Sequence, residues 1–259
     1  MSILVFDIES IPDFESGRKL HKLNDELSAK DVVKAMQHLQ FQKTGSEFMP
    51  LHLQKIVAIS AVFENRNQIK VWSLGDIDAD EKEIIQRFFQ GLEQNTPTLV
   101  SWNGGGFDLP VLNYRSLLHG VQAPRYWEMG EDDTSFRFNN YISRFHWRHT
   151  DLMDVLGNYQ PRAGAKLDEI ATMLGYPGKL GMSGADVWDR YQQGAIEEIR
   201  NYCETDVLNT YLVYLNFEVI RGRSSPELLN EKIMRVKQML KESGKPHLVE
   251  FLKVWEQCE

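Results

Sequence analysis

The sequence predicts an α/β protein: a mixed β-sheet flanked by helices, with a helical extension at the C-terminal end. Three observations point there. Strand-like segments concentrate before residue 104, and helical periodicity dominates after it. Two early strands are separated only by the polar turn ENRN, which reads as an antiparallel hairpin. Further strands run directly into helices, the mark of a sheet with helices packed on it.

The elements follow in order. ILVFDIE at the start is an apolar run that ends in acids. KIVAISAVF (55–63) and QIKVWSL (68–74) form the hairpin. Residues 80–94 carry apolar groups at helical spacing, with Asp80 as N-cap and acids in the first turn. TPTLVSWN (96–103) is a strand closed by three glycines. A helix spans 108–120, with Pro110 in its first turn and Gly120 at its end. Residues 121–148 read as irregular and aromatic-rich, and LMDVL as the start of another helix, capped by Asp151. Helical periodicity continues through KLDEIATMLGY, through the stretch from Gly194 to Gly222 and through a terminal helical pair. The expected organisation is one unit over 1–222 and a helical extension over 223–259 packed on it. Residues 13–52 interrupt the first two strands as an insertion, either surface decoration or a cap facing substrate.

Bulk properties bound the function. At 259 residues and 42% hydrophobic content the chain can bury a large core. Its apolar runs are too short for a membrane helix, and no basic region followed by an apolar stretch suggests a secretory signal. Two cysteines make no disulfide framework, so a cytoplasmic location is expected. A net charge of −8 lacks the usual basic footprint of a general nucleic-acid binder. It suits an enzyme that gathers carboxylates around metal ions.

Three clusters carry the chemistry. In the first, Asp7 and Glu9 share one face of a strand because side chains alternate with period two; Phe6 and Ile8 point the other way. Two like charges side by side repel. Either the strand ends in solvent there or a cation lies between them. In the second, SWNGGGFDLP (101–110), the glycines allow a tight turn before Asp108, which is either an ordinary helix cap or a site residue. A phosphate-binding loop is excluded, since no G-x-x-x-x-G-K-[ST] occurs. In the third, NYCETDVLNTYLVYL (201–215), Tyr202 and Asp206 stand one helical turn apart on one face.

In this order and context the clusters resemble the DEDD family of 3′–5′ exonucleases, which have a ribonuclease-H-like fold. Asp7 and Glu9 match D-x-E, Asn103, Phe107 and Asp108 match N-x-x-x-F-D, and Tyr202 and Asp206 match Y-x-x-x-D. The histidine branch needs His where Asn201 stands; with Tyr202 the chain resembles the tyrosine branch. SRFHWRHTDLMDVL, KLDEIATMLGYPGK and YCETDVLNTYLVYL resemble the stand-alone relatives of the proofreading domain of family B DNA polymerases. The resemblance implies two divalent cations, Mg²⁺ or Mn²⁺, held by Asp7, Glu9, Asp108 and Asp206. Asp7 would bridge them, Glu9 and Asp206 would complete the water-activating site, and Asp108 would support the second ion. Tyr202 would position the attacking water. Asn103, Phe107 and Trp102 would meet a terminal nucleotide of single-stranded nucleic acid, DNA before RNA.

Two alternatives stay open on the residues. A haloacid-dehalogenase-type phosphatase also starts with an apolar strand and D-x-D, but leaves Tyr202 without a role. A catalytically silent nucleic-acid-binding domain of the same fold expects the loss of a site residue, and none of the five is lost. His146 and His149 read as structural. Asp151 reads as a helix cap, with support of the acidic site as the second option. Arg144, Arg148, Arg162, Lys166 and Lys179 read as either a solvated surface or a groove for a nucleic-acid backbone.

Overall fold

The computed structural model describes residues 2–66 and 68–258. Its five strands are β1 (Ile3–Pro12), β2 (Gln54–Glu64), β3 (Ile69–Ser73), β4 (Thr98–Ser101) and β5 (His149–Asp151). They form one sheet in the order β3-β2-β1-β4-β5. β2 is antiparallel to both β1 and β3, whereas β4 is parallel to β1 and to β5. The helices are α1 (Phe14–His21), α2 (Ala29–Thr44), α3 (Glu81–Asn95), α4 (Asp108–His119), α5 (Pro124–Trp127), α6 (Leu152–Leu156), α7 (Leu167–Met173), α8 (Val187–Gln192), α9 (Ile196–Ile220), α10 (Pro226–Glu242) and α11 (Pro246–Cys258). This mixed sheet with helices on both faces is the ribonuclease-H-like arrangement expected from the sequence.

The central strand β1 explains the layering. Leu4, Phe6 and Ile8 enter a core with Phe88 and Phe89 of α3 and Leu112 of α4. Val5, on the opposite face, packs with Val100 and with Val207, Leu208 and Tyr211 of α9. Alternation along one strand therefore supplies both cores. It also aims Asp7 and Glu9 at the α9 side. α10 and α11 join that same core through Val236, Leu240, Phe251 and Trp255.

Two buried carboxylates tie the layers together. Glu204 of α9 is 3% exposed. It accepts from the Ser73 backbone N–H at 2.9 Å, from Lys245 Nζ at 2.8 Å and from His247 Nε2 at 2.8 Å. Burial by itself would raise this carboxyl; His247 and Lys245 overcome it and hold the group down to about 2. Glu81 accepts Arg115 Nε at 2.7 Å and the Ile56 N–H at 2.6 Å, and Arg115 also pairs with Asp13. This buried ion cluster pins the start of residues 13–52 to β2, α3 and α4.

Residues 13–52 have a small core of their own, formed by Val32, Met36 and Met49 with Leu53. Gly17 lies so close to Met36 that a Cβ there would sit 2.2 Å from its Sδ. Close helix approach, not a turn, therefore requires this glycine.

The helix starts at Leu152 with Asp151 as its cap, as expected, but the residues before it are not loop: His149–Asp151 is the edge strand β5. Residues 121–148 are not merely irregular either. They contain α5 and a 3₁₀ turn at Thr134–Phe136, and they bury Tyr126, Phe136 and Tyr141 in the α3–α4 core.

Candidate active site

The acidic strand is specialised where it carries its charges. β1 pairs with β4 only from Ile3 to Val5. Beyond that point Asp108 takes over on the same strand, its Oδ1 accepting the Ile8 N–H at 3.1 Å. Asp108 is therefore not the helix cap that its position suggests: Phe107 precedes α4 without a side-chain cap, and Asp108 is buried against β1. β1 and β2 shift register between Glu9 and Ser10, a bulge beside the acids.

From the other side, α9 delivers Tyr202, Cys203 and Asp206. Ligand atoms of Asp7, Glu9 and Cys203 lie within 4.8 Å of one another. The Cys203 thiol donates to the Asp7 backbone oxygen at 3.4 Å and to Asp7 Oδ2 at 3.5 Å. Burial and the adjacent acids push that thiol up, so it stays protonated as a donor. The Tyr202 hydroxyl faces Asp206 and interacts with its carboxylate.

The acids act on one another electrostatically. Burial, then the charges of Asp108 and Asp206, raise Asp7 well above the usual carboxylate range. Burial, then Asp7, Asp206 and Asp108, do the same to Glu9, against an opposing effect of Lys179. Burial pushes Asp108 up to about 7 and Asp206 up to about 6. Such a cluster binds protons or cations because its charges are packed together with little water. The donor set is hard oxygen, which suits Mg²⁺ or Mn²⁺. The Tyr202 phenol is raised far above its ordinary value, chiefly by burial and then by Asp206 and Glu9, so the hydroxyl stays protonated.

The loop after β4 is held by Asp151. Its carboxylate accepts the N–H groups of Asn103 at 2.9 Å and Gly105 at 2.8 Å, besides capping α6. The turn takes its left-handed residue at Asn103, φ 63°, rather than at a glycine. Gly104 and Gly106 are needed for close approach: a Cβ would lie 2.2 Å from Ser101 Oγ or 2.4 Å from Asn103 Oδ1. Asp151→Ala should lower stability by about 1–2 kcal/mol, since it removes the partner of two backbone donors in a part-buried loop. Chemical denaturation checks this, and a change under about 0.5 kcal/mol, the scatter of surface substitutions, would count against the role.

The remaining sequence candidates divide. Asn103 and Trp102 line a cleft of about 300 Å³ together with Lys166, Lys179, Asp168 and Asp206. Trp102 is partly buried beyond the end of β4, and its indole N–H donates to the Ala165 carbonyl at 3.2 Å. Phe107 is half-buried at the edge of the α3–α4 core. Of the basic residues, Arg148 does not serve a groove: it stacks 3.8 Å from the Phe136 ring centroid and donates to the Asn139 carbonyl. Arg144 pairs with Asp154 at 2.7 Å. His149 bonds Ser101 Oγ at 2.8 Å, and burial takes it down to about 4, so it is a neutral core residue. His146 Nδ1 accepts the Asn140 N–H at 3.0 Å.

The fold is ribonuclease-H-like. Residues 46–255 match the family described as a predicted 3′–5′ exonuclease related to the exonuclease domain of PolB, and the chain belongs to that family. Asp7 and Glu9 lie before the matched region. The chain is 26% identical over 143 residues to the catalytic polypeptide of DNA polymerase epsilon from Dictyostelium discoideum, covering 54% of this chain and 6% of that protein. It is 25% identical over 140 residues to a DNA polymerase of Archaeoglobus fulgidus, covering 53% and 17%. The corresponding epsilon polypeptide of Saccharomyces cerevisiae is 26% identical over 146 residues, covering 53% and 6%. The match thus spans less than a fifth of the length of each of these relatives.

Proposed function

We propose that the protein is a metal-dependent 3′–5′ exonuclease of the tyrosine branch. It releases nucleoside 5′-monophosphates from single-stranded 3′ ends, with DNA preferred to RNA. The observation that carries this reading is the meeting of three elements at β1: ligand atoms of Asp7 and Glu9 lie within 4.8 Å of Cys203 on α9, the helix that also carries Tyr202 and Asp206, and Asp108 of α4 binds the Ile8 N–H between them. The preference for DNA is supported by relatives that are DNA polymerases.

The four carboxylates would hold two divalent cations, whose chemistry is to lower the pKa of water and to stabilise the leaving oxygen of a phosphodiester. The chain's own residues supply the rest. Tyr202, kept protonated, orients a water by hydrogen bonding while Asp206 fixes the direction of its hydroxyl. Cys203 and the Ile8 N–H fix the carboxylates of Asp7 and Asp108. Lys179, 5.8 Å from the Tyr202 ring centroid, offers a positive charge to the phosphate beside the acids. Asn103, Trp102 and Phe107 border the path of the terminal nucleotide.

The test is incubation of 5′-labelled single-stranded DNA and RNA with Mg²⁺ or Mn²⁺, resolving products by size. A ladder shortening from the 3′ end, abolished by EDTA, is expected. An intact oligonucleotide in both metals would leave the silent-domain alternative.

A pH dependence follows from the raised carboxylates. Their folded values exceed the unfolded ones, so in the metal-free protein their contribution is favourable below about pH 4 and is lost as pH rises through about 6 to 7. Metal binding requires the ionised forms. The increase in Tm on adding Mg²⁺ should therefore grow between pH 5 and pH 8. His149 is lowered to about 4, but it titrates alike with and without metal and cancels in this difference. Differential scanning calorimetry gives the increment; one that is flat or shrinks with pH would show that these carboxylates do not bind the ion.

A further inference from the structure

Residues 45–50 connect α2 to a short helical turn at Leu51–Leu53, and they hold one large aromatic side chain in the open. Phe48 is 61% exposed, yet its neighbours fix where it stands. Met49 is buried with Val32, Met36 and Leu53. The Met49 carbonyl accepts Gln54 Nε2 at 3.1 Å, and Gln54 Oε1 accepts Ser10 Oγ at 3.0 Å. Ser10 directly follows Glu9 on β1. A relay through one buried glutamine thus ties this loop to the strand that carries the acids. From that tether the Phe48 ring reaches Phe107, with centroids 6.0 Å apart and planes tilted by 49°.

We propose that Phe48 extends Phe107 into a two-ring stacking platform for the bases of an unpaired 3′ end. This rests on the exonuclease reading above and names the part that residues 13–52 play in it. Phe107 directly precedes Asp108 in the chain, and its half-buried ring borders the α3–α4 core. Phe48 doubles that aromatic surface on the outer side. Aromatic faces hold bases without regard to sequence, as a nuclease that works along a strand requires. A base still paired in a duplex keeps its faces stacked on its neighbours, so the platform favours single strands. Packing alone does not account for the residue. A side chain this exposed leaves no cavity when truncated, whereas Met49 beside it already anchors the loop.

The experiment uses the full chain and its Phe48→Ala and Phe48→Trp variants. Binding of a 5′-fluorescein-labelled single-stranded DNA is read by anisotropy with Ca²⁺ in place of Mg²⁺. A matched oligonucleotide with two abasic 3′-terminal nucleotides is the control. Hydrolysis of the p-nitrophenyl ester of thymidine 5′-monophosphate is read in Mn²⁺. Phe48→Ala should raise the Kd for the normal strand about tenfold, and Phe48→Trp should restore it. On the abasic strand wild type and Phe48→Ala should bind alike. Tm and the rate of ester hydrolysis at saturating ester should be unchanged in both variants. A Kd that Phe48→Ala leaves within about twofold, or an equal loss on the abasic strand, overturns the proposal. Failure of the wild type to hydrolyse both ester and DNA would instead sink the exonuclease reading, while the binding comparison still decides the role of Phe48.

Discussion

Asp7→Asn should abolish hydrolysis and at the same time make the metal-free protein more stable. The two effects have one cause. Asp7 lies among Glu9, Asp108 and Asp206, and burial with those charges raises its carboxyl well above the ordinary range. Removing its charge relieves repulsion that at pH 8 bound cations otherwise relieve. The melting temperature in EDTA at pH 8 should rise by about 2–4 °C for each kcal/mol recovered. The same substitution removes a carboxylate at the centre of the cluster. Hydrolysis should fall by at least ~10³-fold, because several kcal/mol of transition-state stabilisation is lost at about 1.4 kcal/mol per decade. A folded variant with higher Tm and no turnover separates a chemical defect from misfolding. A variant that is both less stable and inactive would contradict the repulsion argument.

Tyr202→Phe should slow turnover by roughly 10²-fold, about 2.7 kcal/mol, the range for a positioned acid–base or orienting group. The ring is buried and keeps its packing, so stability should change by no more than about 1 kcal/mol, one hydrogen bond. Burial raises Asp206, and the donated Tyr202 hydroxyl opposes that rise. Its loss should raise Asp206 further above about 6. The acidic limb of the pH–rate profile should then move to higher pH, and Mg²⁺ should bind more weakly below pH 7 but as before at pH 8. Single-turnover cleavage across pH and Mg²⁺ concentration reads all of these. Wild-type rates in the Phe variant would remove Tyr202 from the mechanism and leave the carboxylates to stand alone.

Much of this was legible in the sequence, for identifiable reasons. The alternation in ILVFDIE put Asp7 and Glu9 on one face, and strand geometry made that unavoidable. The four-residue spacing of Tyr202 and Asp206 on a long helix was equally readable. What escaped was tertiary. β5 is three residues long at a sheet edge, too short for an alternating pattern, and its last residue reads only as a helix cap. Asp108 looks like a cap, yet its partner is the Ile8 N–H, 100 residues away. The role of Asp151 in holding the Asn103–Gly105 backbone depends on the parallel pairing of β4 with β5. Cys203 carries no spacing signal at all; only the approach of α9 to β1 places its thiol on Asp7. The glycines were expected to relax the backbone, whereas Asn103 adopts the left-handed conformation and the glycines make room.

The long reach between the parts of the site bears on how the protein is made. Asp7 and Cys203 are in contact across 196 residues of sequence, and Ser73 and Glu204 across 131. Contacts of such separation form late, because loop closure must come before they can reward it. On a ribosome that adds about 5–20 residues per second, the first acids emerge roughly ten to forty seconds before the helix that completes them. Throughout that interval the nascent chain holds only part of the proposed site, so the proposed activity must wait for α9. Refolding in vitro should show the same order: far-UV circular dichroism from α9, α10 and α11 returns first, and nuclease activity returns last.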